Sequence, residues 1–552
     1  MRHYHIRNLM LAILTLLIAI MTNSIGSYAQ INPPNPPHPP HPPSGMAAPI
    51  PPQPPNPPHL NHEGSSYISI SNSKTKIKIK NKTKNFSLEY EGEITLSPDD
   101  TDIVGISRGG YFKLETSSFG SKRKVSIEPD RQGNLIREYK EGRTKKPFYP
   151  DGKQFLAEVL PDLIRSTSIG ARGRVDRILK AEGPDALIKE LGLLDSDYAI
   201  AAYTNIAFEN DNFPEEKYPK ALNVVSEEID SDHYLTEILI GNRRKLMRSD
   251  AGLTAYIKAS SELGSDHYKT EVLTDIFDSE KITNQQLNLL LILIEDIDSD
   301  HYRSEVLLEL IDERTLNEES LNIFIKLMDQ IDSDHYKTEV LNEALDKSHF
   351  SSTQYNSLIR SINKIDSDHY KSEVLSNILD NHKLDAAHLR LLLNAFSSMD
   401  SDHYLTEVIQ EIAENDLDSE SIELLIENIM DNINSDHYIT ESISSLLDNQ
   451  VMNDQHLASI SDLTRQMSSD HYIAIVYSEI IGEQKLNSRQ VIYLLDNIAD
   501  LDSDHYMTEV LLEIVEVVND LNNSEVKQSY LNACKNIDDE SYFGQVMKAL
   551  DY

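Results

Sequence analysis

The spacing of apolar and polar positions changes along this chain, and each spacing predicts a different element. In residues 66–148 the two types alternate. "YISIS", "KTKIKIK", "FSLEYEGEITL", "GYFKLET", "KRKVSIEP" and "NLIREYKEG" place apolar side chains at every second position, with Gly, Asn, Pro and Asp between the segments. A period of two predicts half-buried strands, here a small antiparallel β domain over residues 64–150. In "KTKIKIK", Lys74, Lys76, Lys78 and Lys80 share one face, while Thr75, Ile77 and Ile79 share the other. The lysine row is either a charged face that discourages edge pairing or a surface for anionic glycan, lipid headgroups or the acidic repeats further along the chain. From Asp151 the spacing turns helical. "GKQFLAEVLPDLIRST", "ARGRVDRILKAEG" and "PDALIKELGLL" predict short amphipathic helices, a connector over 151–194, with Pro184 at a first helical position.

Beyond the connector a 34-residue period takes over. Ser-Asp-His-Tyr occurs nine times, with its histidines at 233, 267, 301, 335, 369, 403, 437, 471 and 505. In the copy "DSDHYKSEVLSNILDNHKLDAAHLRLLLNAFSSM", Tyr370, Val374, Leu375, Ile378 and Leu379 follow helical spacing. After a polar break Leu389, Leu392, Leu393, Phe396 and Met399 do so again. Each unit is therefore expected to be two amphipathic helices. Ser231, Ser265, Ser299, Ser333, Ser367, Ser401, Ser435, Ser469 and Ser503 stand where N-caps of the first helix belong, each followed by an Asp that suits a positive helix terminus. Ser249, Thr283, Asn317, Ser351, Asp385, Ser419, Asn453 and Asn487 stand in the same way before the second helix.

One such unit cannot bury its apolar stripes alone, so the units must stack. The expected fold is mainly α, a right-handed α-solenoid of about eleven two-helix repeats over 195–552. The β domain and a disordered Pro-rich N-terminus precede it. "DSDYAIAAYTNIAF" at Asp195 and "DDESYFGQVMKAL" at Asp538 read as degenerate capping units. The pattern resembles HEAT-like and tetratricopeptide-like helical repeats, although the tetratricopeptide W-x₂-L-G-x₂-Y signature is missing. "SDHYKSEVL" at Ser367–Leu375 resembles the S-D-x-x-K-S/T-E-V-L repeats of poorly characterised bacterial envelope proteins. That likeness covers about two thirds of the chain and implies an exported helical scaffold. In some of those proteins the repeats follow a sensor-type metallopeptidase module. No H-E-x-x-H occurs in this sequence, so that activity does not carry over.

The N-terminus points to the same address. Arg2 and Arg7 precede the apolar run Leu9–Met21, and Ser27-Tyr28-Ala29 supplies small residues before Gln30. This is the pattern of an export signal over 1–29, too short an apolar run to span a bilayer. Export to the periplasm or beyond is expected, with no transmembrane segment after cleavage. Residues 30–63 hold the tract "NPPNPPHPPHPPSGMAAPIPPQPPNPP", an extended, solvated spacer whose His38, His41, His59 and His62 have nothing to fix their geometry. Charge is divided sharply. Residues 64–150 carry 17 Lys/Arg against 11 Asp/Glu, a net of +6, and residues 1–63 carry +1, which leaves −46 of the formal −39 on 151–552. A field of that sign repels nucleic acid and attracts cations or basic protein surfaces.

The chemistry-bearing candidates lie in the repeats. Each histidine is followed four residues later by glutamate, giving His233/Glu237, His267/Glu271, His301/Glu305, His335/Glu339, His369/Glu373, His403/Glu407, His437/Glu441 and His505/Glu509, while His471 is followed by Ile475. Positions i and i+4 share a helix face. One reading is a ladder that binds divalent cations or senses pH. The other is a structural joint, since two ligands do not close a zinc site. No P-loop or G-x-G-x-x-G is present, and the lone Cys534 permits neither an internal disulfide nor a cysteine zinc site. No catalytic residue and no cofactor is implied. The sequence thus predicts a non-enzymatic scaffold or adaptor that binds a protein or peptide partner of the cell envelope along an acidic helical surface.

Overall fold

The computed structural model describes residues 64–71, 74–81, 85–118, 121–277, 282–347, 350–381, 386–396 and 398–550. The expected export signal at 1–29, the spacer at 30–63 and the cap position Asp385 lie outside the described residues. The protein is mainly helical, with a small antiparallel sheet region ahead of the helices. It falls into two compact units, one ending at residue 383 and the other beginning at 384. The motif spacing passes through this division unchanged, so nothing in the repeat pattern marks it.

In the first unit the alternating segments form strands β1 (Gly64–Ser71), β2 (Lys74–Asn81), β3 (Asn85–Glu91), β4 (Ile94–Leu96), β5 (Ile103–Ile106), β6 (Tyr111–Ser118), β7 (Ser121–Pro129), β8 (Leu135–Glu141) and β9 (Thr144–Lys146). Seven of them make one antiparallel sheet in the order β1-β2-β3-β6-β7-β8-β9, and β4 and β5 form a separate hairpin. The run "FSLEYEGEITL" is therefore two strands. It breaks at Gly92, whose φ of +80° suits a residue without a Cβ. Alternation sends Ile77, Leu88, Phe112, Leu114, Val125, Ile127 and Tyr139 to one buried face. Helix Lys153–Ser166 covers it, with the Phe155 ring 5.6 Å from Tyr139. Arg174 anchors the hairpin to the following helices, donating to Asp100 at 2.7 Å and to Glu190 at 2.9 Å.

The repeats follow as helix pairs. The first pair is Asp197–Glu209 with Tyr218–Glu228, and the tenth is Asp504–Leu521 with Ser524–Cys534, after which Glu540–Ala549 stands single. Within each compact unit, first helices pack on neighbouring first helices and second helices on second helices. The apolar stripes read from the sequence supply this contact. Tyr370, Val374, Leu375, Ile378 and Leu379, and likewise Leu389, Leu392, Leu393, Phe396 and Met399, are all buried. Each such aliphatic or aromatic side chain stabilises the stack by roughly 1.5–3 kcal/mol.

The second-helix caps behave as expected. Ser249 and Asn317 accept from the backbone three residues on, and Thr283, Ser351, Asn453 and Asn487 close full capping boxes. One position shifts. Asp418 caps the helix Ser419–Asn432 by accepting from the Ser421 N–H. A carboxylate one residue earlier takes the terminus, and Ser419 becomes the first helical residue with its hydroxyl on His456 Nε2 at 3.0 Å.

The first-helix serines need a larger correction. Ser231, Ser299, Ser401, Ser435, Ser469 and Ser503 occupy the N-cap position with extended backbone, but none of their side chains caps the helix. The neighbouring unit explains why. Asp232 Oδ2 accepts the Ser265 N–H, Asp266 that of Ser299, Asp300 that of Ser333 and Asp334 that of Ser367, at 2.7–2.8 Å. In the second compact unit Asp402, Asp436 and Asp470 hold Ser435, Ser469 and Ser503 at 2.6–2.9 Å, and Asp504 holds Asp539. The aspartate of one unit thus fixes the backbone at the start of the next. The serine is a small residue held at a joint, and its carbonyl starts the helix, as where Arg303 N–H donates to Ser299 O at 2.9 Å.

Candidate functional site

The histidines lie in rows along the first helices of each compact unit. Each imidazole sits 5.0–5.2 Å from the ring of its own following tyrosine, from His233 on Tyr234 to His505 on Tyr506. Eight of them also lie 5.4–6.1 Å from the tyrosine of the next unit, as His301 does on Tyr336 and His437 on Tyr472. The tilted rings make a continuous His–Tyr stack within each compact unit, on the scale of aromatic pairs worth about 0.5–1.5 kcal/mol each. The pKa values of Tyr234, Tyr268, Tyr302, Tyr336, Tyr370, Tyr438, Tyr472 and Tyr506 are raised. For Tyr336 burial is the main cause, followed by the charges of Glu339 and Asp300. These phenols stay neutral.

The predicted His/Glu partners come together in at least five of the described units. Nε2 of His301, His335, His403, His437 and His505 lies 3.5–4.0 Å from the carboxylate of Glu305, Glu339, Glu407, Glu441 and Glu509. His233, His267 and His369 keep the same half-buried place over tyrosine, and Glu237, Glu271 and Glu373 remain exposed. Glu237 instead accepts from Asn205 Nδ2 at 3.5 Å. The motif's aspartate, which could have been a third ligand, is engaged on backbone N–H groups of the next unit. A paired rung therefore brings together one imidazole and one carboxylate, and the rung at His471 has no glutamate. Among the described residues, the group of three possible ligands that converges is Asp448, Glu479 and Glu483, which holds no histidine.

Outside this stack the helix face is acidic. Asp312, Asp346, Asp380, Glu414, Asp448 and Glu516, eleven residues after the histidine, are exposed beside the glutamate row. Opposing basic side chains are few, such as Lys347, which reaches Asp312 and Glu343. Two residues after the histidine a different pattern appears that the sequence reading did not single out. Lys269, Arg303, Lys337 and Lys371 are buried, at 5%, 7%, 4% and 1% exposure. Arg303 donates to Gln330 O at 2.8 Å and Ile297 O at 2.6 Å, and Lys269 Nζ donates to Asp296 O at 3.3 Å. Gln330 O and Asp296 O end the second helix of the same unit as their donor, and Ile297 O lies just past the second helix of the preceding unit, so each is a favourable place for a cation. Leu235, Leu405, Ile439, Ile473 and Met507 occupy the position elsewhere, so the basic residue is a local anchor and no part of the exposed face.

One motif escaped the sequence reading. Gly105-Ile106-Ser107-Arg108-Gly109 matches G-x-S-x-G. In a hydrolase this serine sits at a sharp turn from strand to helix. Here the segment runs from β5 into a turn before β6, and Ser107 Oγ accepts the Glu93 N–H at 2.9 Å. The serine ties one hairpin together. Cys534 is buried, and burial pushes its thiol up to about 11, outweighing the hydrogen bond with Tyr530. It is no nucleophile at neutral pH.

No helix among the described residues is long and apolar enough to cross a membrane. No protein-family model matches the chain, and no curated protein matches it. Among solved structures, one similar chain comes from the computational design of self-assembling cyclic protein homooligomers. It is 14% identical over 54% of this chain and 92% of its own length, and its TM-score of 0.11 carries no argument.

Proposed function

We propose that the protein is a non-enzymatic, exported scaffold or adaptor that binds a basic protein or peptide segment along the acidic face of its first helices. The observation that carries this reading is the repetition of exposed carboxylates at two positions of successive first helices, beside a half-buried His–Tyr stack, on a region of net charge −46. A Lys/Arg-rich extended partner meets a carboxylate at each layer and an aromatic edge between layers. Export is the companion proposal, supported by the N-terminal signal pattern.

The test is a binding titration of a Lys/Arg-rich peptide against the protein, with Glu271→Gln, Glu305→Gln and Glu339→Gln combined as the comparison. Binding that weakens about tenfold or more in the triple variant, and again as salt is raised, supports the reading. Binding that ignores the triple substitution sinks it. A thermal melt with added zinc or calcium separates the cation-binding alternative, which requires a saturable rise that disappears when several of His267, His301, His335 and His369 become alanine.

A further inference from the structure

The sheet presents a second charged surface of opposite sign. The buried face of β6–β9 is apolar, and the opposite face carries Lys113, Lys122, Lys124, Lys140 and Lys145, all exposed. The antiparallel register continues this face across β3 into β2, where Lys76 lies opposite Glu89. Two of its carboxylates are shared. Glu115 lies 2.6 Å from Lys122 and 3.9 Å from Lys124, and Glu138 lies 2.8 Å from Lys145 and 3.9 Å from Lys140. One carboxylate between two ammonium groups leaves one positive charge over. The face stays net positive after its own ion pairs are made, in a chain whose net charge is −39.

We infer that this lysine face docks the acidic first-helix face of a second copy of the same chain, so that copies associate heterologously, sheet to repeat. The inference rests on the reading of the repeat face as a surface for basic partners. Two features favour a second copy as the occupant. The signs are complementary, +6 on residues 64–150 against −46 on residues 151–552. The spacings also agree, because strands two apart in a sheet are separated by roughly 9.5 Å and stacked helices by roughly 8–10 Å. Lysines on β7 and β9, or on β6 and β8, therefore recur at the pitch of the carboxylate rows. The contact leaves one free face of each kind on every pair.

The experiment is sedimentation velocity on the purified protein at increasing concentration, at about 0.05 M and about 0.5 M salt, where the screening length shrinks several-fold. The expected result is reversible association at low salt that is lost at high salt. Lys113→Gln, Lys122→Gln, Lys124→Gln and Lys140→Gln combined should weaken it about tenfold or more. Mixing that variant with the Glu271/Glu305/Glu339→Gln variant, each retaining one complementary face, should stop at a 1:1 pair. If the fourfold variant does not fold, Lys113→Gln with Lys140→Gln carries the same test. A monomer under all conditions overturns the inference, as does association that ignores the lysine substitutions. Peptide binding to the unsubstituted protein tells the two failures apart. If it persists without self-association, only the inference falls, and if it is absent too, the reading of the acidic face falls with it.

Discussion

At the scale of single residues, the Ser-Asp-His-Tyr motif divides its labour differently from its appearance in the sequence. Asp300 accepts the N–H groups of Asp332 at 3.1 Å and Ser333 at 2.7 Å. Replacing it with alanine leaves two donors of the next unit without their carboxylate, a loss of about 1.5–3 kcal/mol for a charge-assisted bond. Chemical denaturation should show that loss for Asp300→Ala, a smaller one for Asp300→Asn, and almost none for Ser299→Ala, whose hydroxyl caps nothing. Ser351→Ala, which removes a working capping box, should cost about 1 kcal/mol. Equal effects at Ser299 and Ser351 would contradict the assignment. The sequence showed the serine as a cap because it stands before the helix. It concealed the aspartate's partner, since a residue 33 positions away is indistinguishable by spacing from the local terminus.

Glu479 makes a second residue-scale prediction. Burial raises its pKa, and the carboxylates of Asp448, Glu483 and Glu513 add to the rise. A carboxyl raised on folding destabilises the folded state once it ionises. Stability should therefore increase as pH falls from neutral through the raised value, and the gain ends below the ordinary value, where both states are protonated. Glu479→Gln should stabilise the protein at pH 7 by about 0.5 kcal/mol, the scale of surface charge pairs. The benefit should vanish in melts near pH 4. A destabilised variant at pH 7 would refute this.

At the scale of elements, much was legible. The period of two gave the strands, the 34-residue spacing gave first helices beginning at Asp232, Asp266 and Asp300, and the second-helix caps fell where polar residues were phased. What the pattern hid was decided by contacts between elements. "FSLEYEGEITL" alternates without interruption, and only the turn at Gly92 divides it. Asp418 and Ser419 are both good caps, and the carboxylate won. Arg303 reads as a surface residue because it is charged, yet it lies buried against the end of its own second helix. Arg303→Ala should cost about 2–4 kcal/mol, since it removes packing and leaves carbonyls at 297 and 330 without their donor. Arg303→Leu should recover more than half of that, because Leu235 and Leu405 fill the same place and a buried cation exchanged for a well-packed aliphatic is often nearly neutral. Melts that rank leucine no better than alanine would show that the hydrogen bonds alone matter.

At the scale of the whole molecule, charge is the organising quantity. The sequence made the acidic repeats and the basic β domain visible by counting. Folding adds that the motif aspartates are used internally, while the glutamate row and the acids seven residues beyond it remain outside. The histidines, the most conspicuous feature of the sequence, are mostly absorbed into a ring stack. This arrangement explains a motif repeated without insertion, because each unit must present the same aspartate, ring and backbone N–H to its neighbour. Chelator treatment should leave the melting temperature unchanged within about 1 °C, a shift equivalent to less than about 1 kcal/mol.

The most direct measurement is the affinity of a Lys/Arg-rich peptide for the intact protein and for the Glu271/Glu305/Glu339→Gln variant, across a range of salt. The account predicts saturable binding that weakens about tenfold or more with the three substitutions and declines steadily with salt. Binding that is absent, or equal in both proteins and indifferent to salt, would contradict it.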